Sequence, residues 1–312
     1  MAGIRVPSTG DNRGIALVLT LLAVAIITAM VAEFSYDVYV STSSLYNWQN
    51  AQKLSLAARS AVRLGSGLIT EMIATDHYNP GVFEMSQKIP FADVDGTVAL
   101  RIEDENSKFN LKTLVNQNGS LNREAYDSLV RLLAALQLKT ELADRIIYWI
   151  NPFLEPELKS PENLSKGSDP DSIDELLLVP GMDARSYERL RPYVTIYGNG
   201  SININGADIP VLLSLSSSID EGMAENIIRY RKDTPFMRAT DILKVMGFDN
   251  AVGISLSTGH TNMKEASPAV ISTQGTAFSV IATAQSGKLK RIIDSVIDIS
   301  GGGRTVLYWK EM

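Results

Sequence analysis

The side chains best suited to chemistry lie between Asn151 and Glu175, where Glu155, Glu157, Glu162, Asp169, Asp171, Asp174 and Glu175 punctuate a stretch containing Pro, Ser and Gly. Hard carboxylate oxygens on a flexible segment suit Ca2+, whose capture would offset the disorder of such a loop. Glu155, Asp169, Asp171 and Asp174 form the candidate ligand set. Their spacing fails the EF-hand loop. An acidic, solvated loop in which Asp171 or Asp174 caps a helix start is the simpler reading, Asp being a preferred N-cap.

Other chemistry is poorly provided for. The two histidines, His77 and His260, stand beside Asn79-Pro80 and Thr261-Asn262, both loop-like contexts. Neither belongs to a nucleophile elbow or a metal-binding HExxH, and the chain holds no Walker loop or GxGxxG. With no cysteine, disulfides, thiolate metal sites and cysteine nucleophiles are excluded. The chain is expected not to be an enzyme.

Phosphate binding is the remaining possibility. Leu178-Val179-Pro180-Gly181-Met182 between two short helices resembles a helix-hairpin-helix, and Ile202 to Phe248 resembles the double-hairpin domain of DNA-binding competence proteins. Such hairpins bring backbone N–H groups of glycines and a helix N-terminus against a phosphate. Here Asp183 and Asp220 occupy the phosphate-facing positions and would repel it. Arg229, Arg231 and Lys232 read as a solvated helix face, and the net charge of −6 opposes strong nucleic-acid binding. A membrane-anchored DNA-binding ectodomain stays as the alternative reading.

The elements that would position these residues begin at Ile15. Ile15 to Ala32 is eighteen residues without a charge. As a helix it spans roughly 27 Å, near the hydrocarbon thickness of a bilayer. Arg5 and Arg13 precede it, with only Asp11 opposing them, so the positive-inside bias leaves the N-terminus cytoplasmic and the rest outside. Helical character continues without Pro or Gly to Gly65. Leu45, Trp48, Gln52, Leu56 and Arg59 share one helical spacing, and Ala51, Leu54, Ala57, Ala58, Ala61 and Val62 build an alanine-rich packing face. One helix from Ile15 to about Ala74 is expected, with a break near Glu33 as the alternative. Strands are expected at Thr97–Glu103, Phe278–Thr283, Arg291–Ile299 and Thr305–Trp309, separated by Ser286-Gly287 and Gly301-Gly302-Gly303 turns. The fold class is α+β: a long helix packed on a small antiparallel sheet, with a large all-α insertion containing hairpin or SAM-like units.

The junction Asp11-Asn12-Arg13-Gly14 before Ile15-Ala16-Leu17-Val18-Leu19 resembles the class III signal of type IV pilins and pseudopilins. That resemblance implies prepilin peptidase cleavage between Gly14 and Ile15, with N-methylation of Ile15. Leu19 holds the fifth mature position, where most pilins carry Glu; a carboxylate in lipid is kept only beside a partner amine. Lacking it is similar to the K-type minor pseudopilins of type II secretion systems. The blocks Glu103–Leu111, Asp174–Met182, Tyr187–Gly198, Ile202–Ala207 and Ile227–Phe236 follow the same family's order.

The resemblance implies a leader at 1–14, a transmembrane segment at 15–32, the rest of the pilin helix and first strand at 33–104, an inserted helical domain at 105–250 and closing strands at 251–312. It implies a single-pass inner-membrane subunit with a periplasmic C-terminal domain, capping the tip of the secretion pseudopilus. The implied partners are the I-type and J-type minor pseudopilins, the prepilin peptidase and the inner-membrane secretion platform. A type IV pilus minor pilin is the near alternative. The family also implies a calcium site after an Asp-Trp segment; Tyr148-Trp149-Ile150-Asn151-Pro152 stands there and lacks carboxylates.

Overall fold

The computed structural model describes residues 12–74, 82–89, 95–154, 164–246 and 271–312. Helix α1 runs from Asn12–Ala74, unbroken at Glu33. It has two environments. From 14 to 42 every side chain is exposed, and none of the most apolar eighteen-residue window is buried, so this stretch is long and apolar enough to cross a membrane. Three of its hydroxyls return to the helix backbone: Thr20 Oγ1 donates to Leu17 O at 2.9 Å, Thr28 Oγ1 to Val24 O at 2.8 Å and Ser35 Oγ to Val31 O at 2.7 Å. Internal satisfaction of this kind is what a hydrocarbon surrounding demands.

The second half of α1 packs on a sheet. The edge strand β1 (Phe83–Lys88) is followed by β2 (Thr97–Asp104). The chain then leaves the sheet. It passes through β3 (Phe109–Asn110), α2 (Arg123–Ala135), α3 (Leu142–Ile150), α4 (Ala184–Leu190), β4 (Val194–Thr195), β5 (Ile202–Asn203), α5 (Ile209–Leu215), α6 (Glu221–Asp233) and β6 (Ile271–Ser272), with 3-10 turns between them. It returns as β7 (Ala277–Ser286), β8 (Leu289–Asp298) and β9 (Thr305–Glu311). The sheet order is β1-β2-β7-β8-β9, with every neighbouring pair antiparallel. Leu100 thus pairs with Ala282, on the far side of the inserted region.

Two cores result. Leu54, Ala58, Ala61, Val62 and Ile69 of α1 meet Leu100, Ile102, Phe278, Val280, Ala282 and Ile293 of the sheet. Small alanines let the helix lie close, and at Gly65 a Cβ would stand 3.1 Å from Val280 Cγ1 and 3.2 Å from Leu100 Cδ2. The second core gathers Leu129, Leu132, Leu133, Ile146, Ile147, Leu190, Leu212, Ile227 and Phe236.

Several expectations need correction. Strand β1 is not among the expected ones, because only Phe83 and Met85 in Phe-Glu-Met-Ser-Gln-Lys alternate as apolar residues and the strand stays mostly exposed. The inserted region is not purely helical: β3 pairs with β4, and β5 with β6, both in parallel. Ser172, not Asp171 or Asp174, caps the 3-10 turn that begins at Ile173. Arg231 is not part of a solvated face; its Nη1 donates to Ile204 O at 2.6 Å and Ala207 O at 2.7 Å.

Candidate functional site

The point where the inserted region leaves and rejoins the sheet is built from short polar side chains. Asp104 ends β2, and its carboxylate accepts from Asn106 N at 2.8 Å and from Asn203 Nδ2 at 2.6 Å. Asn106 Oδ1 accepts from Thr276 N at 2.9 Å and Ala277 N at 3.2 Å, while its Nδ2 donates to Asn199 Oδ1 at 2.8 Å and Ser201 O at 3.2 Å. One buried amide therefore holds the outgoing strand, the returning strand and the 199–201 turn. The backbone is shaped to admit it. Gly198 has φ +84°, a left-handed conformation that favours glycine, and a Cβ there would press on the Asn106 amide; one on Gly275 would overlap the Asp104 carboxylate.

Charges reinforce this root. Glu105 Oε2 accepts from Thr195 Oγ1 at 2.5 Å, and Glu105 Oε1 lies 2.8 Å from Lys108 Nζ. Burial alone would lower the Lys108 ammonium, but Glu105 and Glu103 beside it hold it above its ordinary value. Asn205 stitches the far side: its Oδ1 accepts from Phe236 N at 2.8 Å, and its Nδ2 donates to Phe236 O at 2.8 Å and Thr273 O at 3.0 Å. Buried polar groups are tolerated because they are paired this fully.

The last strand is clamped to α1 at both ends. Ser55 Oγ donates to Glu311 Oε1 at 2.5 Å and Arg59 Nη2 lies 2.8 Å from Glu311 Oε2. At the other end Arg304 Nε donates to Thr70 Oγ1 at 3.1 Å. The opposite face of α1 stays open, with Leu45, Trp48 and Leu56 exposed.

The acidic loop is organised around a lysine. Lys166 Nζ contacts Asp171 Oδ2 at 2.6 Å and Glu175 Oε1 at 2.8 Å. A hydrogen bond from Lys166 holds the Asp171 carboxyl below its usual range. Asp174 accepts from Tyr187 Oη at 2.5 Å, and burial followed by that bond pushes the phenol up to about 12. Asp169 is exposed, and Glu155, Glu157 and Glu162 lie outside the described residues, as do His77 and His260. Among the described residues no three His, Cys, Asp or Glu side chains converge as a metal would need, so Asp169, Asp171 and Asp174 do not by themselves form a calcium site.

Asp183 and Asp220 each cap a helix, accepting from Ser186 N at 2.6 Å and Met223 N at 2.8 Å. Their carboxylates thus occupy the helix N-termini that a phosphate would use. At the other end of the chain Gly14, Ile15 and Leu19 lie within α1 at exposed positions.

Comparison with known proteins gives concordant results. The family described as type II secretion system (T2SS), protein K, matches residues 107–199. The chain is 27% identical over 259 residues to the type II secretion system protein K of Pseudomonas aeruginosa, covering 75% of this chain and 77% of that one. It is 27% identical over 222 residues to the protein of the same name from Klebsiella pneumoniae, covering 62% and 65%. In fold it is similar to a chain in the crystal structure of the GspK-GspI-GspJ complex from the enterotoxigenic Escherichia coli type 2 secretion system. The TM-score is 0.59 at 19% identity, over 87% of this chain and 99% of that one.

Proposed function

Given that the chain belongs to the type II secretion system protein K family, we propose that this minor pseudopilin caps the tip of the secretion pseudopilus and supports its assembly. The observation that carries the reading is the rooting of the inserted region. It leaves the sheet after Asp104 and rejoins it at Ala277 through the Asn106 network, so it is held as a rigid bulk on the head and not as a loose appendage. Such bulk would prevent another subunit from stacking above, while the bare apolar half of α1 remains free to pack with other pseudopilin helices. Ala16, Ala23, Ala25 and Ala29 offer the small residues that close helix packing in a membrane uses.

In this reading prepilin peptidase cuts between Gly14 and Ile15, Ile15 is N-methylated, and α1 stays as a single inner-membrane span with the C-terminal domain periplasmic. Leu19 suits a subunit that needs no carboxylate to neutralise a neighbour's terminus. The I-type and J-type minor pseudopilins are the direct partners, and the inner-membrane platform receives the assembly. Support for the first two comes from the solved structure of similar fold, which is itself of a GspK-GspI-GspJ complex.

Two measurements test this. The N-terminal mass from membranes should begin at methylated Ile15 only when the peptidase is present; an intact Met1 or a cut after Ala32 would remove the processing. Deletion of the chain should abolish secretion and pseudopilus assembly, and secretion at the undeleted level would overturn the assigned role.

A further inference from the structure

We propose that Lys166 is the resident cation of the acidic loop, closing it where a divalent ion would otherwise gather the same carboxylates. This goes beyond the assembly role and does not depend on it. The Lys166 ammonium reaches Asp171 Oδ2 at 2.6 Å, Glu175 Oε1 at 2.8 Å and Glu175 Oε2 at 3.0 Å. An ammonium has three donors, and three oxygens receive them. The main chain anchors the same residue: Lys166 N and Gly167 N donate to Trp149 O at 2.9 and 3.1 Å, binding the loop to the end of α3. Asp171 N donates to Glu175 Oε1 at 3.0 Å, so the second carboxylate also fixes the turn holding the first.

A divalent ion taking these oxygens would have to expel the ammonium or sit against it. Ca2+ also takes about six to eight oxygens. Among the described residues, Asp174 beside them is already engaged by Tyr187 Oη. A lysine carries its positive charge covalently, so the closure it makes needs no ion from solution and survives a chelator. Relative to a metal-stapled loop, this one is calcium-independent by construction.

The test uses the full chain in detergent micelles. Thermal unfolding is followed in EDTA and in millimolar CaCl2, alongside elemental analysis of protein purified in calcium. The wild type should unfold within about 1 °C in the two conditions and carry no stoichiometric calcium, because a ligand bound only to the folded state raises Tm with its concentration. Lys166→Gln should lower Tm by roughly 2–4 °C in EDTA, and Lys166→Arg should recover part of that loss. A wild-type Tm that rises by about 5 °C or more with calcium, or one calcium per chain, would overturn the proposal. Should Lys166→Gln fail to fold, the wild-type comparison decides alone. Neither readout involves secretion, so its failure leaves the tip assignment standing.

Discussion

The guanidinium of Arg59 meets the carboxylate of Glu311 at 2.8 Å, joining the middle of α1 to the last strand of the sheet. Ser55 Oγ shares the same carboxylate. A partly exposed pair of this kind contributes about 0.5 kcal/mol after solvent screening, and the serine hydrogen bond adds about 1 kcal/mol. Arg59→Ala should therefore cost less than Ser55→Ala, and Glu311→Ala about as much as both, by urea unfolding.

The same carboxylate sets a pH dependence. Hydrogen bonds from Ser55 and Arg59 hold Glu311 below its ordinary value. The folded state then binds fewer protons than the unfolded chain, so its contribution is complete above an unfolded carboxyl value of about 4.3 and is lost as pH falls through the lower folded value. Glu311→Gln should abolish that part of the acid-side decline in Tm. An unchanged slope would argue against the clamp.

Asp294 predicts the opposite sign. Burial raises its pKa, with Arg191 only partly opposing, because desolvation penalises the charged form. Its ionisation in the folded state costs stability, a cost that grows as pH rises through the unfolded value of about 3.9 and is complete above the higher folded one. Asp294→Asn should raise Tm at neutral pH, and the gain should vanish in acid.

Gly65 tests the seat of α1 on the sheet. A leucine there would drive its side chain into Val280 and Leu100, already 3.1–3.3 Å from the position of a Cβ. Overpacking of this sort costs about 1–3 kcal/mol, so Gly65→Leu should lower the unfolding midpoint accordingly.

The junction and the open face of α1 should separate in their effects. Asn106→Ala leaves Thr276 N and Ala277 N without their acceptor, at about 1–3 kcal/mol each, and should make the 105–276 segment more protease-sensitive. Trp48→Ser touches an exposed side chain and should leave stability within about 0.5 kcal/mol. It should nonetheless weaken co-purification with the proposed pseudopilin partners if that stripe meets their helices; undiminished recovery would exclude Trp48 from the interface.

Some of this is legible in the residues. The alanine spacing marks the packing face of α1, and alternation marks β2, whose Leu100 and Ile102 are buried, since period and burial coincide there. Where they part, pattern reading fails. Ile202-Asn203-Ile204-Asn205 falls in a region expected to be all-α, yet it opens with β5 and all four residues are buried, the asparagines because Asp104, Phe236 and Thr273 satisfy them from distant sequence. Lys166 escapes notice for a similar reason. Its role depends on a turn that returns Asp171 and Glu175 to it, and a lone lysine among acids carries no spacing signal.

The pairing of β2 with β7 has a consequence for biogenesis. The strand that must sit beside Leu100 is synthesised only after the whole inserted region, and β9, which clamps α1, comes later still. A nascent chain already tethered through α1 would hold the apolar face of Leu54, Ala58 and Val62 uncovered for that interval, because long-range strand pairing must wait for its loop to close. The inserted region, with its own core, can condense first and bring the two strands within reach. Its first service is then to the chain that carries it, as an internal scaffold for closing the sheet.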